Sequence, residues 1–101
     1  MLSITAKVLK VSQPFMTAEG STIIAVYLMS EQHQLPKQFH VYIAKGEVYS
    51  KSFNQLLLAN EDDVLEIVYE DWHKARVSGL GSEIIKIKNI TNPTLNCEAD
   101  I

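Results

Sequence analysis

Cysteine occurs once in these 101 residues, and that scarcity excludes covalent staples: Cys97 has no partner for an internal disulfide, which fits a reduced compartment. Long apolar runs are missing too. No stretch approaches the roughly 18–20 residues of a membrane span, and Met1–Lys10 alternates instead of placing a basic segment before an apolar one, so the expected location is the cytoplasm. Positive charge is short, with nine Lys and Arg against twelve Asp and Glu and a net charge of −3, which argues against a strong binder of duplex DNA. Catalytic signatures are scarce as well. The sequence holds no phosphate-cradling glycine motif, no CxxC and no histidine pair at metal-binding spacing, since His33, His40 and His73 fall in three separate segments. Cys97 sits in a polar tail that cannot hold a nucleophilic pair at about 3 Å. No enzyme, metal or cofactor is expected.

What is present is alternation. Strand-like runs fill residues 3–12, 22–30, 38–44, 64–71 and 83–90, and apolar spacing at Tyr49, Phe53, Leu56 and Leu57 predicts a helix over 47–59. The order β-β-β-α-β-β, 47% hydrophobic residues and a length suited to one core predict an all-β, five-stranded barrel with one helix between strands three and four, plugging one end. The first strand has Ile4, Ala6 and Val8 on one parity and Lys7, Leu9 and Val11 on the other, so its inward face should change where it bends. Strand two is apolar on both parities, which calls for cover beyond the barrel core, as from a partner subunit. Glu61-Asp62-Asp63 reads as a solvated turn. Residues 1–91 form the expected domain and 92–101 an acidic, flexible tail.

A binding module needs flat rings for bases and cations for phosphates, and both types occur at suitable places. His40 and Tyr42 alternate outward on strand three, Tyr27 lies on strand two, and Trp72, Lys74 and Arg76 precede the glycine-containing loop before strand five. Lys7 and Lys10 on the first strand and Lys86 and Lys88 on the last are candidates for one cationic patch, or equally for edge protection against sheet aggregation. Each ring also has a plain structural role open to it, as core, interface or hairpin anchor.

The opening Ser3–Val11, the tip Thr17-Ala18-Glu19-Gly20-Ser21 before an apolar strand, and the helix between strands three and four resemble the oligonucleotide/oligosaccharide-binding (OB) fold. Within it, the pattern is similar to small single-stranded DNA-binding proteins of the bacterial SSB and primosomal PriB types and their phage- or plasmid-borne relatives. That resemblance implies a homodimer or higher oligomer binding single-stranded DNA, or RNA, through Phe15, Tyr27, Tyr42, Trp72, Lys74 and Arg76. The ending Asn96–Ile101 is similar to tails that recruit partner proteins. The alternative is an OB-like protein-interaction or assembly module that ignores nucleic acid.

Overall fold

A computed structural model describes residues 2–30, 36–71 and 79–94. Six strands and one helix follow in the order β1 (Leu2–Val11), β2 (Phe15–Met16), β3 (Thr22–Met29), β4 (Lys37–Ile43), α1 (Lys51–Leu58), β5 (Val64–Glu70) and β6 (Ser82–Asn89). β1 pairs antiparallel with both β3 and β5, β3 pairs with β4, β5 with β6, and a short parallel contact of β4 with β6 closes the ring. The result is the expected five-stranded OB-type barrel, to which β2 adds a two-residue hairpin arm against β3.

β1 serves two neighbours because it bends. Ile4, Ala6 and Val8 point inward; the register with β3 then shifts between Val8 and Lys10, and Val11 resumes the inward direction opposite Val26. One extra residue at Leu9 therefore keeps Lys7 and Lys10 both outside while the strand turns a corner, which is what a β-bulge accomplishes in a small barrel. The interior is filled by Val8, Ile24, Val26, Leu28, Phe39, Val41, Leu65 and Ile67, with Ile84 and Ile87 from β6.

The helix is shorter than its apolar spacing predicts. Gly46 takes φ +84° in a turn that Glu47 N–H closes onto the Ala44 carbonyl, and the chain stays extended through Ser50, whose hydroxyl accepts the Phe53 N–H at 3.2 Å. A serine N-cap fixes the first helical residue at Lys51, leaving Glu47 to Tyr49 outside. From α1, Phe53 and Leu56 enter the barrel end as the plug, Tyr49 stacks on Phe53 at 4.6 Å, and Leu57 stays exposed.

The turn after α1 also differs from expectation. Glu61 and Asp62 are exposed, and Asp62 adopts φ +71°, but Asp63 is only 4% exposed. Its carboxylate accepts from Asn60 N–H, Asn89 Nδ2 and Asn92 Nδ2 at 2.9–3.0 Å, and Asn92 N–H donates in turn to Asn89 Oδ1. Burial pushes this carboxyl up, while the three hydrogen bonds to its charged form outweigh that and hold it below the ordinary value. A run of three acids concealed the difference, because the middle of the turn is solvated and only its last member folds under the barrel.

Candidate nucleic-acid interface

Residues directly opposite in antiparallel strands share a face, so register alone assembles the outer surface of β1, β3 and β4. Phe15, Ile23 and Tyr42 make one row, Ala25 and His40 a second, and Lys10, Tyr27 and Gln38 a third, with Lys7 opposite Met29 beyond it. Phe15 (43%) and Tyr27 (40%) are exposed enough to offer ring faces. Tyr42 is half-buried, its hydroxyl tied to the Ser21 hydroxyl at 2.7 Å.

His40 is on this face as the alternation places it, yet it is fully buried, at 0% exposure. Its Nδ1 lies 3.2 Å from the Leu80 carbonyl, and the segment before β6 lies against β4 there. Gly81 makes that approach possible: at φ +80°, a Cβ on it would stand 1.8 Å from the Gln38 carbonyl oxygen. The imidazole thus anchors the end of the β5–β6 connection and is not available for stacking in this arrangement. Ile23 and Ala25 are also buried, although they belong to the outer parity and not to the core cluster. Phe15 of β2 pairs beside Ile23 on this face, and the Leu80 backbone reaches His40.

The four candidate lysines of the two strands divide. Lys7 and Lys10 line the β1 side of the face, whereas Lys86 and Lys88 project from β6, opposite Val68 and Glu66 of β5. β5 lies between the two pairs. Trp72, Lys74 and Arg76 lie outside the described residues, as do His33, His73, Cys97 and the rest of 95–101.

Two hollows flank the barrel. One of about 820 Å³ runs along β1 and β5 past Thr5, Lys7, Leu9, Met29 and Glu66, and another of about 520 Å³ lies between α1 and β6 among Lys51, Gln55, Ile85 and Lys86. The first meets the Lys7 and Met29 end of the face, and neither is lined by Phe15, Tyr27 or Tyr42; of these rings Phe15 and Tyr27 are exposed, with Ile23, Ala25 and His40 buried between them. No group of three His, Cys, Asp or Glu among the described residues is placed to hold a metal ion, and no helix among them is long and apolar enough to cross a membrane.

No family model and no curated protein matches the sequence. A solved structure does match the fold. PriB from Ralstonia solanacearum superposes with a TM-score of 0.56 over 88% of this chain and 95% of its own, at 15% identity. At that identity the likeness shows a shared OB barrel. Gln38 was not among the sequence candidates for the face; its amide draws notice only once register sets it beside Tyr27.

Proposed function

We propose that this protein binds single-stranded DNA without catalysing a reaction, stacking bases on Tyr27, Phe15 and Tyr42 and meeting phosphates with Lys7 and Lys10. Trp72, Lys74 and Arg76 would add to the same path from the connection whose end rests on β4. A cytoplasmic homodimer is the matching assembly. The observation that carries the reading is the face itself: Phe15 and Tyr42 flank Ile23 in one row, Tyr27 stands two rows along β3 on the same side, and two outward lysines that a bulge keeps on one side border it. Support also comes from the barrel shared with PriB, a type counted among the single-strand binders that the sequence resembles. Stacking contributes about 1–3 kcal/mol per base and accepts any base or sugar, so single-stranded RNA is a second ligand of the same surface. The negative net charge is compatible, because a few aligned cations suffice once rings supply much of the affinity.

The test is a titration with a fluorescent oligo-dT of about thirty nucleotides at low and physiological salt, beside the matching duplex. The expected result is salt-sensitive binding of the single strand, with log K falling by about 0.7 per phosphate contacted for each decade of salt, and weak duplex binding. No binding of the single strand at low salt overturns the proposal and leaves an assembly module to be sought by partner capture.

A further inference from the structure

Across the outer face, the polar ends of side chains differ in how far they are committed. Tyr42 is tied to Ser21, and His40 to the Leu80 carbonyl. In the third row, the Lys10 ammonium, the Tyr27 hydroxyl and the Gln38 amide make no hydrogen bond or ion pair with any described residue. These three stand directly opposite one another on adjacent strands, Lys10 against Tyr27 and Tyr27 against Gln38, with neighbouring side chains spaced about 5 Å apart. Gly81 packs against the Gln38 backbone, where any side chain would collide with the Gln38 carbonyl oxygen.

This row has the parts of a reader for one nucleotide: a cation for the phosphate, a ring for the base face and an amide for the base edge. We infer that Gln38 gives the surface a preference for adenine at the position stacked on Tyr27. The amide carries a donor and an acceptor side by side, and on the N6/N7 edge adenine presents the complementary acceptor and donor, whereas guanine presents two acceptors there and pyrimidines lack N7. Lys10 takes the phosphate and Tyr27 holds the base plane, so neither distinguishes one base from another. The inference rests on the single-strand reading above and adds a base preference to it.

Twelve-nucleotide oligo-dA, oligo-dT and oligo-dC, titrated in parallel against the protein and its Gln38→Leu and Lys10→Ala variants, separate the two claims. The expected result is binding of all three by the unaltered protein, with oligo-dA about tenfold tighter than the others. Gln38→Leu, at a half-buried surface position, should remove that ratio while leaving the salt slope unchanged. Lys10→Ala should weaken all three alike and lower the salt slope by about 0.7. Equal binding of the three by the unaltered protein, or an adenine preference that survives Gln38→Leu and so comes from purine stacking alone, overturns the role of Gln38 while single-strand binding stands. Failure of all three to bind overturns the functional reading instead.

Discussion

Asp63 links stability to pH. Its carboxylate collects a backbone N–H and two side-chain amides at the junction of the α1–β5 turn with the end of β6. Because its folded pKa is lowered, the stabilisation it contributes is present above the ordinary value of 3.8 and is lost as pH falls through the lower folded value. Asp63→Asn places an amide among donors and is expected to cost about 1–3 kcal/mol at pH 7, with a flatter stability profile below pH 4 than the unaltered protein, read by urea melts across pH. At this scale the sequence was only partly informative. Parity placed Tyr27 and Tyr42 outward, but nothing in the pattern distinguished buried Asp63 from exposed Asp62, or an anchoring His40 from a displayed one, because each outcome depends on partners more than twenty residues away, Asn89 for the acid and Leu80 for the imidazole.

Among the elements, α1 separates propensity from packing. The apolar spacing extends back to Tyr49, and a sequence reading lets the helix begin at 47, yet Ser50 stops it by capping. A hydroxyl that accepts an N–H is a local signal; Gly46 and Ser50 before the first buried ring were the available clue. Phe53 is 2% exposed and fills the barrel end between strands. Phe53→Ala is expected to destabilise by about 3–5 kcal/mol, whereas Ser50→Ala should cost about 1 kcal/mol, a contrast that thermal or chemical melts of the two variants will resolve. Melts showing equal losses would mean that the cap, not the plug, holds the helix in place. The strands were more legible than the helix, since alternation over seven to ten residues is imposed by one buried face and survives uncertainty at either end.

For the whole molecule, the order of elements was enough to imply a closed barrel, because five alternating strands with one intervening helix have few ways to bury a common core. How cations distribute around that barrel was not legible. Lys7, Lys10, Lys86 and Lys88 look equivalent along the chain, and only the strand order, with β5 between β1 and β6, sets the pairs apart. The arrangement predicts that Lys7→Ala/Lys10→Ala weakens binding of oligo-dT and lowers its salt slope by more than Lys86→Ala/Lys88→Ala does. Equal effects of the two double variants, measured by the same titration, would mean that the strand wraps the barrel instead of crossing one face.

The barrel is closed by a narrow seam. Between β4 and β6 only Phe39 with Ser82 and His40 with Glu83 pair, supported by the His40 contact to Leu80, whereas β1, β3 and β5 are joined along much longer ladders. Those two rungs connect residues 43 apart in sequence, so forming them requires closing a long loop for little immediate return. The seam is therefore expected to part first under stress, so the amides of Phe39, His40, Ser82 and Glu83 should exchange with solvent faster than those in the β1 ladders.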